Sequence, residues 1–324
     1  MRHKRHSQTK LNYDFHMNDF IGDSTEMQKV FSLIENASNS TANTFIYGES
    51  GTGKELVAKA IHFGRSLAEK QFVGLNCAAF PESLFESELF GYSKGAFTGA
   101  IKDKMGLIES ANGGTLFLDE ISEMKPYLQA KLLRVIEERA VRPIGEVTSK
   151  EIKIHFIAAT NRKIKNLFIE KRLRKDLFYR LNVLPIHIPP LRNRKDDIPS
   201  LIEHFIKKFN LLFGKNIIKF SDRAMNSLIS YYWPGNVREL ENLVQKTVIL
   251  ENESIISHTN LPSYIKNNTL SEKATPETFI TLKENEKQHI NKVLKFVNGN
   301  KVEAAQILGI NRSSLYSKMR RHKI

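Results

Sequence analysis

The chain has 324 residues, 41% hydrophobic and 26% charged, a globular composition with room for two or three domains. A single cysteine, Cys77, excludes an internal disulfide framework and disfavours a cysteine metal site; it reads as a small buried hydrophobe in a reducing cytoplasm. No apolar run reaches the roughly eighteen residues of a membrane helix, and a formal net charge of +14 points to a polyanionic partner.

Residues 1–20 read as a basic polar tail, with Arg2, Lys4, Arg5 and Lys10 and no apolar segment that would make a secretory signal. Over 21–188 short apolar runs (44–47, 72–75, 115–118 and 152–159) alternate with helical patterns. Such unbroken runs suit strands buried on both faces, so the expected fold is α/β, a parallel sheet flanked by helices. Pro189-Pro190 stops that rhythm. Over 189–262 the period is helical, through Leu201, Phe205 and Phe209 and again through Leu240, Val244 and Val248, which predicts an all-α unit. Residues 263–285 are polar and read as a linker. The last unit, 286–324, is again helical.

Three stretches carry chemistry. The first, GESGTGKE, runs through Gly48, Glu49, Ser50, Gly51, Thr52, Gly53, Lys54 and Glu55, after an apolar run and before a helical pattern. Strand, glycine turn and helix are the context of a P-loop, whose backbone N–H groups and helix N-terminus cradle phosphates while the lysine reaches the outer ones. Glu55 stands where Ser or Thr would ligate Mg²⁺, so the metal must lean on other groups. Those come from GGTLFLDE: Asp119 is placed to hold Mg²⁺, and Glu120 to orient and polarise the attacking water. Asn161, ending IAATN, and Asn76, after the run 72–75, are further polar candidates near the γ-phosphate; each reads equally well as a turn residue.

The second stretch is SKGAFTGA, where Phe97 sits among Gly95, Ala96, Thr98, Gly99 and Ala100. Two glycines within five residues weaken helix and strand alike, so a core role for this aromatic is hard to build.

The third is the C-terminal end. Ile290, Val293, Leu294 and Val297 recur at helical spacing, and Asn298-Gly299 ends that helix. Residues 301–308 form a second helix, Gly309 turns, and Asn311 caps a third over 312–321. This is a helix-turn-helix with the last helix as reader. Arg312, Ser313, Ser314 and Ser317 suit base edges; Tyr316, Lys318, Arg320 and Arg321 suit phosphates or neighbouring bases. From 286 onward nine Lys/Arg face two Glu, a net charge of +7.

At this point the chain resembles the AAA+ activators of sigma-54 RNA polymerase. ELFGYSKGAFTGA, GGTLFLDE, AATN, LRKDLFYRL, PPLRNRKDDI and WPGNVREL occur in that family's order, and GAFTGA is the most specific of them. The resemblance runs from about residue 21 to 261 and resumes in a Fis-like C-terminal domain. It implies an AAA+ P-loop ATPase core with a helical lid, ATP and Mg²⁺ as cofactors, and a hexameric ring. The implied partners are sigma-54 polymerase holoenzyme and double-stranded enhancer DNA, with Fis-like dimers on the DNA. It also implies that residues 95–100 tip a mobile loop gripping the sigma factor, with Phe97 exposed and Thr98 beside it. Asn76 would relay the γ-phosphate state to this loop through Glu120. Arg238 would touch phosphate from the lid. Arg174 and Arg180 match the arginine-finger segment; six residues apart on a helix they point about 120° apart, so at least one should reach the neighbouring subunit unless the helix ends between them.

Tyr92-Ser93 stand where the family often has His-Glu, His155 where Arg is frequent, and Leu173 where Phe is common. None of these removes a catalytic group. A ligand-controlled repressor on the same fold and a replication-type AAA+ DNA remodeller are the competing readings; intact GAFTGA opposes both, and the Fis-like end opposes the second. No phosphoacceptor or ligand-sensing domain fits before residue 21, so control is expected from a separate regulatory protein, or the chain is part of a longer regulator.

Overall fold

The structure, a computed structural model, describes residues 21–65, 70–266, 282–297 and 299–322. The expectations for the tail 1–20, most of the linker, and Asn298 lie outside the described residues. Helix α1 (Thr25–Ser38) leads into β1 (Thr44–Tyr47), α2 (Lys54–Phe63) and β2 (Phe72–Asn76). Helix α3 (Glu82–Phe90), the antiparallel pair β3 (Gly91–Tyr92) and β4 (Lys104–Met105), and α4 (Leu107–Ser110) follow. Then come β5 (Thr115–Asp119), α5 (Pro126–Glu138), the short pair β6 (Ala140–Val141) and β7 (Lys150–Glu151), and β8 (His155–Thr160). Helices α6 (Ile164–Ile169) and α7 (Lys175–Leu181) precede β9 (Leu184–His187).

Five of these strands form one parallel sheet in the order β2-β5-β8-β1-β9. Successive side chains alternate between its faces. Phe45, Leu116, Leu118, Phe156 and Ala158 point to the face covered by α3, α5 and α7. Ile46, Phe117, Ile157, Ala159 and Ile186 point to the face covered by α1 and α2. Both faces are dry, which is why the strands read as continuous apolar runs.

Two details of the sheet depart from the sequence reading. The run 152–159 is not one strand: the Lys153 carbonyl accepts from Gly113 N–H, and the strand proper starts at His155. The fifth strand, β9, carries Pro185. Proline cannot complete a ladder, but β9 pairs only with β1 and lies at the sheet edge, where that loss is tolerated.

The helical lid contains α8 (Ile198–Phe213), β10 (Lys219–Phe220), α9 (Asp222–Ser230), α10 (Asn236–Leu250), β11 (Ile255–Ile256) and α11 (Ser263–Lys266). It is therefore not wholly α: β10 and β11 pair in parallel, over two residues each, too few for a legible period. Its core is built around fully buried Trp233, whose Nε1 donates to the Leu228 carbonyl at 2.8 Å. Ile265 is buried in that core, so packed structure continues past residue 262 into the segment expected to be linker.

The remaining described residues form a separate compact unit with α12 (Leu282–Phe296), α13 (Lys301–Ile307) and α14 (Arg312–His322). The side chain of Asn300 caps α13 by accepting from Val302 and Glu303 N–H. Ile290, Val293, Val297, Ala304, Ala305 and Leu315 make its core, with Leu294, Leu308 and Ile310 packed against it.

His155 sits inside β8. Its Nε2 donates to the Ala42 carbonyl at 2.7 Å and its Nδ1 has no partner. Burial, aided by the Arg65 charge, pushes its pKa down to about 4 from 6.5. The fold thus holds the neutral ring. Its stabilising effect is complete above pH 6.5 and is lost as pH falls through that value towards about 4. Acidification over this window is expected to cost up to about 3 kcal/mol. Thermal melts across the window check this: His155→Gln, which cannot titrate, should show a shallower loss than wild type.

Candidate functional site

The P-loop joins β1 to α2 at the C-terminal edge of the sheet. Gly51 has φ +77°, and a Cβ there would lie 2.3 Å from the Gly235 carbonyl oxygen, so only glycine fits against the lid. Lys54, the first residue of α2, is 7% exposed. Its Nζ donates to the Gly48 carbonyl at 3.1 Å and the Glu49 carbonyl at 3.4 Å, and lies 3.8 Å from Glu120. Thr52 is buried, its hydroxyl donating to the Glu49 carbonyl at 2.8 Å.

Asp119 ends β5 and Glu120 follows in the left-handed region, at φ 52°. A non-glycine residue pays for this conformation, and such strain is concentrated at working sites. The Glu120 carboxylate accepts from the Asn161 backbone N–H at 3.1 Å, and Asp119 accepts from the Glu120 N–H at 3.0 Å. Burial raises the pKa of both carboxyls, opposed by the Lys54 charge; burial lowers that of Lys54, opposed by Glu120 and Asp119. One cation and two carboxylates thus share a partly desolvated corner. Cys77 borders it, its thiol pKa pushed up by burial and by the two acids.

Other predicted residues are placed differently. The Asn76 side chain accepts from the Ala78 N–H at 2.8 Å, while Glu120 is held by Asn161 and Lys54, so the expected Asn76–Glu120 relay is not made in this conformation. Asn161 contributes its backbone to Glu120 and is exposed. Glu55 faces outward and pairs with Lys59 one helical turn on, at 2.8 Å. Ser50 is exposed, its carbonyl accepting from Asn236 Nδ2 at 2.9 Å. The Glu49 carboxylate is turned to Arg192 and Asn236. It takes both terminal nitrogens of Arg192, at 2.7 and 2.5 Å, and Asn236 Nδ2 at 3.3 Å; the bond to Arg192 lowers its pKa. Arg238 is exposed, donates its N–H to the Gly51 carbonyl at 3.2 Å, and its charge acts on both Lys54 and Asp119.

Arg174 is the cap residue of α7 and is extended, so the helix begins between it and Arg180 and the 120° restriction does not apply. Its guanidinium is engaged by Asp176 at 2.7 and 3.1 Å. Arg180 is exposed near the end of α7.

Residues 93–100 form a compact turn above the β3–β4 pair. Gly95 N–H donates to the Ala100 carbonyl at 2.9 Å, Ala100 N–H to Phe97 at 3.0 Å, and Lys94 N–H to the Asp103 carboxylate at 2.7 Å. Gly95 and Gly99 have φ of +84° and +105°, with nothing within 4 Å of where a Cβ would be, so backbone conformation and not space demands glycine there. Phe97 is 46% exposed and rests edge-on against Tyr92, 4.9 Å between centroids. Thr98 is exposed. Ala100, expected in the contact, is buried at the turn's base.

In the C-terminal unit Asn311, just before α14, and Arg312, Ser313, Tyr316, Ser317, Arg320 and Arg321 on it are exposed to solvent, with Ser314 half-buried. Lys318 is not free. Glu286 of α12 holds both Lys318 and buried His322, the latter at 2.7 Å, and its pKa falls to about 2 through these bonds. Lys301 covers the Tyr316 ring, 5.1 Å from its centroid. Sequence reasoning missed Glu286, because its two partners lie in a different helix. If Lys318 stays tied on DNA, Glu286→Gln should free one cation. The log–log salt slope of DNA affinity should then steepen by about one contact, read by fluorescence anisotropy; an unchanged slope would mean that the pair opens on DNA anyway.

Comparison with known proteins agrees with this geometry. Residues 20–187 match the sigma-54 interaction domain, 192–278 the AAA+ ATPase lid domain, and 281–322 the bacterial regulatory protein Fis family. The chain is 43% identical over 314 residues to the nitrogen fixation protein AnfA of Azotobacter vinelandii, covering 96% of this chain and 58% of AnfA. It is 46% identical over 301 residues to the transcriptional regulatory protein ZraR of Escherichia coli K12, covering 93% of this chain and 68% of ZraR. The crystal structure of NtrX from Brucella abortus in complex with ATP superposes with a TM-score of 0.71 at 31% identity, covering 94% of this chain and 69% of NtrX. The P-loop, the paired carboxylates, the GAFTGA turn and the helix-turn-helix therefore stand in one chain that belongs to the family of sigma-54-dependent transcriptional activators, with an AAA+ domain, its lid and a Fis-type DNA-binding domain.

Proposed function

We propose that this chain binds enhancer DNA through α14 and uses ATP hydrolysis in a cytoplasmic ring, a hexamer, to remodel the closed complex of sigma-54 RNA polymerase. The observation that carries the reading is that one α/β unit holds both the Lys54–Asp119–Glu120 corner and a glycine-hinged turn exposing Phe97. An exposed aromatic on a short turn is an interaction device. The solved NtrX complexes with ATP and with ADP support nucleotide as the occupant of the P-loop.

The residues present fit that nucleotide. The glycine backbone of 48–53 offers N–H groups, Lys54 a cation, and Arg238 a second cation from the lid. Among the described residues no group of three His, Cys, Asp or Glu could hold a metal ion by itself. Asp119 nevertheless supplies the hard oxygen that Mg²⁺ takes when it shares its shell with phosphates and water, and the ion would neutralise phosphate charge. Glu120 orients the attacking water and accepts its proton. Burial raises its pKa, which strengthens it as a base, and the Asn161 N–H and the Lys54 charge oppose that rise.

Arg174 or Arg180 completes the site of a neighbouring subunit, a head-to-tail contact that closes into a ring. Asp176 must release Arg174 for that role, whereas Arg180 is already exposed. Asn76 would move from Ala78 to Glu120 when the γ-phosphate state changes. Among the described residues no helix is long and apolar enough to cross a membrane. The test is open-complex formation by sigma-54 holoenzyme on an enhancer-bearing template. ATP with this protein should produce it; promoter opening that needs no hydrolysable nucleotide would reject the reading.

A further inference from the structure

The segments PPLRNRKDDI and WPGNVREL meet on the P-loop. Four consecutive P-loop residues accept hydrogen bonds from the lid and the segment leading into it. The Glu49 carboxylate takes Arg192; the Ser50 carbonyl takes Asn236 Nδ2 at 2.9 Å; the Gly51 carbonyl takes the Arg238 N–H at 3.2 Å; the Thr52 carbonyl takes Arg194 Nη2 at 3.2 Å. Asn236 is fully buried and left-handed at φ 53°, and its own Oδ1 accepts from the Leu191 N–H at 2.9 Å. Arg194 is 3% exposed. Arg192 is braced on the Tyr232 ring at 4.7 Å.

A trans peptide points its C=O and the following N–H in opposite directions. With the carbonyls of residues 50–52 held by the lid, the N–H groups of Gly51 and Gly53 are aimed away from it. Glu49 would otherwise bring a negative charge to the edge of a phosphate site; Arg192 cancels it through two charge-assisted bonds.

We propose that Arg192, Arg194 and Asn236 are positioning residues for phosphate binding: they fix the peptide planes of the P-loop from the lid side and neutralise Glu49, so lid placement and phosphate affinity are one variable. This rests on the ATPase reading above for the identity of the ligand, but the positioning itself can be read without nucleotide.

The experiment uses the full chain. Hydrogen exchange of the peptide covering 48–55, in nucleotide-free protein, should speed up at least about threefold in Arg192→Ala with the global melting temperature nearly unchanged, and also in Asn236→Ala, where the melting temperature falls as well because the buried Leu191 N–H loses its acceptor. The KM for ATP should rise about tenfold in Arg192→Ala while kcat stays within about twofold, as expected when a charge-assisted bond that orders the site is lost. Glu49→Gln added to Arg192→Ala should recover most of that KM, because the uncancelled charge is gone. P-loop exchange unchanged in both single variants overturns the proposal, and so does a double variant no better than Arg192→Ala. Wild-type protein that fails to bind a fluorescent ATP analogue overturns instead the ATPase reading, and the exchange result still judges the lid contacts.

Discussion

Lys54→Ala is expected to abolish nucleotide binding, raising Kd for ATP at least about a hundredfold, or about 3 kcal/mol. Lys54 is buried and its ammonium is the only cation within 4 Å of Glu120 among the described residues. Removing it deletes a phosphate partner and leaves Asp119 and Glu120 facing a polyanion. Their pKa values, already raised by burial, lose the opposing Lys54 charge and rise further. The variant should keep its fold, since the ammonium's remaining partners are the two carbonyls of Gly48 and Glu49. Titration with a fluorescent ATP analogue, alongside a thermal melt, checks both halves; a Kd within threefold of wild type would remove the P-loop from the mechanism.

The second large effect is expected at the exposed turn of residues 93–100. Thr98→Ala should leave ATP turnover within about twofold and reduce sigma-54-dependent transcription by more than about tenfold, as for a contact at the centre of an interface. Thr98 is exposed, and the turn is closed by the backbone of Gly95, Phe97 and Ala100, so the substitution removes a hydroxyl and a methyl without disturbing the hinge. Steady-state ATPase and promoter-opening assays on one preparation separate the two outcomes. Normal activation by Thr98→Ala would show that this turn does not carry the contact. Phe97 makes a less clean probe, because its ring also packs on Tyr92 and its loss would loosen the turn.

What could be read from the chain alone was whatever is encoded over a short window. Four of the five sheet strands, the strand–loop–helix around Lys54, the carboxylates after β5 and the three C-terminal helices each depend on neighbours within about ten residues. Periodicity, glycine placement and caps act at that range. The exposed Phe97 was legible for the same reason: no local element could hold it.

What only the tertiary structure decided depends on partners far apart in sequence. β9 becomes a strand because β1 offers an edge that tolerates Pro185. Glu49 belongs by sequence to the phosphate loop, yet its carboxylate is captured by Arg192, 143 residues on, because a buried or half-buried charge takes the nearest opposite charge that geometry allows. Lys318 looks like a DNA contact on its own helix and is held by Glu286, 32 residues earlier. Local patterns determine which elements form and which chemistry they carry; the direction in which each charged side chain is spent is settled only when the elements pack, since desolvation and long-range pairing act on the assembled fold.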